Sequence, residues 1–356
     1  MATAATSHVD PFFIEAFGRS IELLRKVFFT AKGQPFVVAG SGTLTWDMVG
    51  ANLVEKGDNV LVINTGIFGD WFGECLEVYG ATVTQLTCAF GDRPSLDAIR
   101  SALTATRFKL VTVTHVDTST GVLSNIKDIA SLVKEVSPDT LIALDGVCSV
   151  AAEEIRMDEW GLDAVLTASQ KAVGVPPGLA LIVVSQRALK VAQTRKTPIA
   201  SYFGSFLKWL PIMQKYEARQ ASYFATPPVQ LILALEASLK LLVEADLESR
   251  FAKHAEASQK IKSAVQKLGI KLVPVDPAIA ANTLTAAYYP PGIAPADFLK
   301  AFTDSGIVIA GGLHPKHNTK YFRIGHMNVS ATHANNGHLD QVIRALEKAT
   351  AIKPAS

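Results

Sequence analysis

Between residues 36 and 185 the chain alternates short apolar runs with amphipathic stretches. "FVVAG", "NVLVIN", "ATVTQLT", "KLVTVTHV", "TLIALDGV", "AVLTAS" and "LALIVVS" are each 5 to 8 residues long and rich in Val, Ile, Leu and Thr. They are too continuously apolar for half-exposed antiparallel strands, and read as strands buried on both faces. Stretches such as "TWDMVGANLVEKG" and "NIKDIASLVKEVS" place apolar residues at helical spacing between them. This alternation predicts an α/β fold with a mainly parallel, seven-stranded sheet covered by helices. Ligands of such sheets bind beyond the carboxyl ends of the strands.

Residues 186–230 are rich in Pro, Tyr and Phe and read as irregular. A long helical pattern, "VQLILALEASLKLLVEA", follows. Beyond it, helical patterns at 246–268, 295–305 and 336–349 mix with strand-like "IKLVP", "LTAAYYP", "IVIAGG" and "YFRIGHM". A large unit over 1–240 and a smaller α+β unit over 241–356 are expected, the 356 residues being too many for one ordinary core.

Composition narrows the function. Apolar residues make up 49% and charged residues 19%, with a net charge of +2 and no Lys/Arg run, so neither nucleic acid nor a membrane surface is an expected partner. No apolar run approaches the roughly 20 residues that span a bilayer. The start, "MATAATSHVDPFF", has no apolar signal core, and the terminal "KPAS" is not the peroxisomal S-K-L. A cytoplasmic protein is expected, with the peroxisome and mitochondrion left open. Cys75, Cys88 and Cys148 are odd in number and form no CxxC pair, so they read as reduced thiols.

Three segments carry candidate chemistry. In "AGSGTLTWDMVGANLV" a strand ends in Gly40-Ser41-Gly42-Thr43 and a helix follows. Small residues there expose backbone N–H groups and add hydroxyls, which makes a phosphate cup or an ordinary N-cap turn. It is neither a Walker loop nor a G-x-G-x-x-G fingerprint, since Thr45 occupies the third glycine position. In "TLIALDGVCS", Asp145 ends an apolar strand, where a buried carboxylate needs a cationic partner. That partner is a residue of the fold or a protonated heterocyclic nitrogen, the role an acid plays beside pyridoxal phosphate. In "LTASQKAVGVPPG", Lys171 follows Asp145 by 26 residues and stands at another strand end, before a rigid turn. It either reaches water or presents a partly desolvated amine for covalent chemistry.

Together "SGT", "THVDTSTGVL", "ALDGVCS", "TASQKAVGVPPG" and "RIGHM" resemble the fold-type I pyridoxal-phosphate enzymes. Within these, the segments resemble the class V aminotransferases, in particular the alanine–glyoxylate and serine–pyruvate group and its fungal branch. The resemblance runs from about residue 7 to 349. It implies a ping-pong transfer of the amino group of alanine, or serine, to glyoxylate, giving pyruvate and glycine. Lys171 would hold pyridoxal 5′-phosphate covalently and Asp145 would pair with its ring nitrogen. Ser41, Gly42 and Thr43 would bind the phosphate with help from Gln170. Phe68 would stack on the ring, Thr118 would bond its hydroxyl, and Val147 would border it. Tyr223 and Thr226 would reach the phosphate of a neighbouring subunit, making a homodimer with shared active sites. Arg323 would clamp the substrate carboxylate, a task suited to a planar bidentate donor.

The family carries a Pro-Gly-Pro-type segment well ahead of its "SHVDP" equivalent. Only six residues precede that point here, so a shortened start is expected. Two other readings stay open: a cysteine desulfurase-like lyase, which needs a reactive thiol over the cofactor, and a cofactor-binding protein without turnover. The eight histidines show no HExxH or paired spacing, so no metal is expected. His314 and His317 read as solvated loop residues and Cys148 as a buried filler. Trp46, Trp71, Trp160 and Trp209 read as packing residues of the core or a dimer interface.

Overall fold

The computed structural model describes residues 4–352. The seven apolar runs form one sheet: β1 Gln34–Ala39, β2 Asn59–Ile63, β3 Thr82–Leu86, β4 Leu110–Thr114, β5 Leu141–Asp145, β6 Ala164–Ala168 and β7 Leu179–Val184. Their order is β1-β7-β6-β5-β4-β2-β3. From β3 to β6 neighbours pair in parallel, while β7 runs antiparallel to both β6 and β1. Every residue of β4, β5, β6 and β7 is buried, as strands covered on both faces must be. β3 differs. It is an edge strand, and its Thr82, Gln85 and neighbours are largely exposed.

The helix α1, Pro11–Val27, precedes the sheet. Asp10 caps it by accepting from Phe12 N at 2.8 Å, and Pro11 fills the first position, where a missing N–H is harmless. Its Phe13, Phe17, Ile21 and Leu24 are buried on one stripe, against Tyr216 and the helix Val229–Glu244. α2, Thr43–Leu53, and α3, Ile67–Val78, follow β1 and β2.

Residues 186–230 are not irregular. They hold the helices Gln186–Gln193 and Phe206–Glu217. Pro211 lies inside the second and disguises it, because proline removes a helix hydrogen bond. Burial of Phe206, Trp209, Ile212, Met213 and Tyr216 at helical spacing outweighs that loss.

The chain beyond residue 245 forms helices Leu247–Lys267, Pro295–Asp304 and His338–Thr350 against a three-stranded antiparallel sheet. That sheet contains β8 Leu284–Tyr288, β9 Ala310–Gly311 and β10 Tyr321–Gly325, in the order β8-β10-β9. "IKLVP" is no strand and contributes one bridge, Leu272 to Ala287, while "IVIAGG" supplies only the two residues of β9. Ile261, Val265, Phe298, Phe302, Phe322 and Leu346 form a core separate from that of the large sheet. Among the described residues no helix is long and apolar enough to cross a membrane.

Candidate active site

β1, β5 and β6 point the same way, so their carboxyl ends share one edge of the sheet. A cavity of about 170 Å³ lies there. Nine of the expected residues line it: Ser41, Gly42, Thr43, Phe68, Thr118, Asp145, Val147, Gln170 and Lys171.

At one end the chain leaves β1 and enters α2. A Cβ on Gly42 would stand 3.2 Å from both Ala168 Cβ and Val147 Cγ2, so the bare glycine lets this corner close on the strand ends. Among the described residues, the N–H groups of Gly42 and Thr43 and the hydroxyls of Ser41 and Thr43 have no hydrogen-bond partner in the protein. Free donors at a helix start favour an anion.

Asp145 is buried beneath the cavity. Its Oδ1 accepts from Val147 N at 2.9 Å and its Oδ2 from Trp46 Nε1 at 2.8 Å. Loss of water pushes its pKa up to about 6, the two hydrogen bonds and Lys171 opposing the shift and Asp117 adding to it. Among the described residues the aspartates in salt bridges are Asp139, Asp163, Asp304 and Asp340, so Asp145 has none, and Lys171 acts on it only from a distance. Thr114 Oγ1, buried beside Asp145 on β4, has no partner either. Lys171 is half-buried, and its Nζ likewise has no hydrogen-bond or ion-pair partner among the described residues.

A short antiparallel hairpin after β4, Val116–Asp117 with Val122–Leu123, shapes the remaining wall. Asp117 is fully buried, accepts from Ser119 N at 2.8 Å and from Phe68 N at 3.2 Å, and so fixes the start of α3. Burial raises its pKa. Phe68 packs edge-on to Trp46 and Trp71, with ring centroids 6.3 and 5.4 Å apart.

Three expected residues do not line the cavity. Arg323, on β10, donates from Nε to Gly311 O at 2.9 Å. Burial lowers its pKa, against the opposing influence of Tyr321, Cys148 and Asp117, and it forms no salt bridge among the described residues. Tyr223 is 64% exposed and lies 3.2 Å from Thr226 Oγ1 through its hydroxyl, away from this chain's own cavity.

Four further residues line the cavity: Trp46, Thr114, Val116 and Cys148. Trp46 is not merely a packing residue: it stacks on Phe72 and donates to Asp145. It lies three positions after Thr43, on the same helix face, which is the signal that could have found it. Cys148 is not filler alone, for its Sγ lies 2.7 Å from Thr118 Oγ1 in the cavity wall. Thr114 follows from strand register, because it pairs with Asp145, whereas Val116 lies beyond that register and pairs with Leu123. Trp71 is 40% exposed and stands outside the core. His314 and His317 are not freely solvated, since both rings pack on Phe90, His317 stacking at 4.0 Å.

The thiols do not suit a lyase that uses a cysteine nucleophile. Burial pushes Cys75 up to about 12, with Asp47 adding to the effect, and Cys88 up to about 11. Burial also raises Cys148, which keeps all three protonated and weakly nucleophilic.

Residues 7–337 match the family described as Aminotransferase class-V. The chain is a class V aminotransferase. It is 42% identical to "Alanine--glyoxylate aminotransferase 1" of Saccharomyces cerevisiae, covering 92% of this chain and 87% of that protein. It is 30% identical to "Serine--glyoxylate aminotransferase" of Arabidopsis thaliana, covering 86% and 76%. The crystal structure of an alanine–glyoxylate aminotransferase from Nostoc sp. superposes with a TM-score of 0.89 at 28% identity, covering 98% of this chain and 89% of that one.

The cofactor of this class V aminotransferase is pyridoxal 5′-phosphate. The cavity fits such a group: it brings together the free donors of the Ser41–Thr43 turn, the buried Asp145 carboxylate and the Lys171 amine, none of them paired with an opposite charge among the described residues. Trp46→Phe keeps the ring stack but removes the indole donor to Asp145. It is expected to weaken cofactor retention by about tenfold, the size of one hydrogen bond to a charged group. Equilibrium dialysis measures this, and unchanged retention would show that the Trp46 bond contributes nothing.

Proposed function

We propose that the chain transfers the amino group of alanine, or of serine, to glyoxylate by a ping-pong mechanism, with Lys171 as the reacting amine. The observation that carries this reading is the single cavity shared by Lys171, Asp145 and the Ser41–Thr43 turn. The names of the yeast and Arabidopsis relatives support the substrates.

Bound pyridoxal phosphate supplies a protonated ring that stabilises negative charge at the substrate Cα. Ser41, Gly42 and Thr43 hold its phosphate through the free donors at the start of α2, with Gln170 beside them. Asp145 would pair with the ring nitrogen and favour its protonated form, and Phe68, Thr118 and Val147 would border the ring. Lys171 Nζ would hold the cofactor and, when not so engaged, would be the base that moves the substrate's Cα proton. Arg323 would receive the substrate carboxylate, its half-buried guanidinium lacking an acidic partner among the described residues. Tyr223 and Thr226 serve the phosphate site of a second copy in a homodimer, which accounts for their exposure away from their own cavity.

The test is the absorption spectrum of the purified protein loaded with pyridoxal phosphate, before and after alanine or serine, followed by glyoxylate. Bleaching of the yellow form by the amino acid, its return with glyoxylate, and release of the matching 2-oxo acid are expected. A spectrum indifferent to both amino acids overturns the proposal.

A further inference from the structure

Lys171 stands on a turn whose three successive carbonyls are each held by a different part of the molecule. Lys171 O accepts from Gly174 N at 2.9 Å, within the turn. Val173 O accepts from Ser238 Oγ, on the helix Val229–Glu244. Ala172 O accepts from Asn328 Nδ2 at 2.9 Å. Only this last bond comes from the segment that leaves β10, five residues after Arg323.

Asn328 makes the bond from an unfavourable backbone. Its φ of 52° and ψ of −131° lie where residues other than glycine are rarely found, and such a conformation persists only where its surroundings enforce it. One enforcing contact is His254, whose Nε2 accepts from Asn328 N at 3.1 Å. His254 Nδ1 lies 2.7 Å from Arg250 O, and a carbonyl can only accept. Nδ1 therefore carries the hydrogen and Nε2 the lone pair, which requires a neutral ring in one tautomer. His254 is fully buried, and burial pushes its pKa down to about 4, in keeping with that state. Asn328's own carbonyl accepts from Ala331 N at 2.9 Å and Thr332 N at 2.8 Å, and a further contact is Gly174, at φ 78°. A Cβ there would stand 1.9 Å from Asn328 Nδ2, so glycine alone lets the amide reach Ala172 O.

We propose that Asn328 is a positioning residue, whose side-chain amide ties the strand end bearing Arg323 to the Lys171 turn and keeps the carboxylate-binding group and the amine in register. The roles given to Arg323 and Lys171 rest on the proposed function; the tie itself does not. Asn328→Gly suits the backbone and deletes the amide. Asn328→Asp keeps the size and deletes the donor.

In protein without added cofactor, amide hydrogen exchange across residues 168–178 is expected to quicken by about tenfold in both variants, with exchange elsewhere unchanged. In loaded enzyme, kcat is expected to fall by about tenfold while KM for the amino donor stays within about twofold, because the amine is misplaced and the carboxylate site is intact. The thermal midpoint of Asn328→Gly should not fall. Unchanged local exchange and unchanged kcat in both variants overturn the proposal. So does a global loss of exchange protection with a lowered midpoint in both, which marks a merely structural role. If wild-type protein fails to load or to respond to amino acids while the local exchange still responds, the tie stands and the proposed function falls.

Discussion

Replacing Lys171 with alanine should leave a folded protein whose turnover is lower by about 10⁴-fold or more, because in the proposed function one amine serves both as covalent anchor and as proton carrier. Folding should survive for a structural reason. Lys171 Nζ has no partner among the described residues, so truncation orphans no buried group, and the expected loss of stability is below about 1 kcal/mol. The turn itself is fixed through backbone carbonyls that the substitution leaves in place. Borohydride reduction and peptide mapping provide an independent readout. Wild-type protein should carry the cofactor on position 171 and the variant should carry none there. A Lys171→Ala protein with turnover within tenfold of wild type would remove this amine from the mechanism.

The reasons that make Lys171 and Asp145 stand out are also the reasons they were legible in the sequence. A charge at the end of a wholly apolar strand is costly unless it has a purpose, and β5 and β6 are buried at every position. The parallel sheet was equally plain, since strands covered on both faces become unbroken apolar runs. Elements settled by tertiary packing were harder to see. Pro211 makes "FLKWLPIMQKYE" read as interrupted, and only the surface it packs against makes it a helix. β9 shrinks to two residues because Val308, apolar as it is, stands 87% exposed outside the sheet. Trp46 reads as a packing residue and Cys148 as a filler for a related reason. An indole or a thiol is as much at home in a core as in a cavity wall, so composition alone does not distinguish the two. Strand register and helix phase do, placing Thr114 beside Asp145 and Trp46 one turn beyond Thr43. Asn328 gives no sequence signal at all, because its backbone angles and its reach to Ala172 exist only in the folded chain.

Asp145→Asn should divide stability from catalysis. In the cofactor-free protein the Asp145 pKa rises from its ordinary 3.8 to about 6, chiefly through loss of water. A shift of that size is a penalty of about 3 kcal/mol on the folded state when the group is ionised. The folded protein binds this proton more tightly than the unfolded chain does. Its stability therefore falls as pH rises from about 4 through 6 and levels off above that. Asparagine carries no charge and avoids the penalty. It can still accept from Val147 N, but its amide N–H groups meet the Trp46 donor, a loss of about 1 kcal/mol. The cofactor-free variant should thus be more stable than wild type by about 1–2 kcal/mol near pH 8, and slightly less stable near pH 4. On the proposed function, in which Asp145 holds the proton on the ring nitrogen, turnover should fall by about 10³-fold, the scale of one removed electrostatic stabiliser. Thermal unfolding of both cofactor-free proteins at the two pH values, beside turnover of the loaded ones, checks the account. A variant destabilised near pH 8, or one retaining turnover within tenfold, would mean that Asp145 is a structural acid satisfied by Trp46 and Val147 rather than a carboxylate held in readiness for a cation.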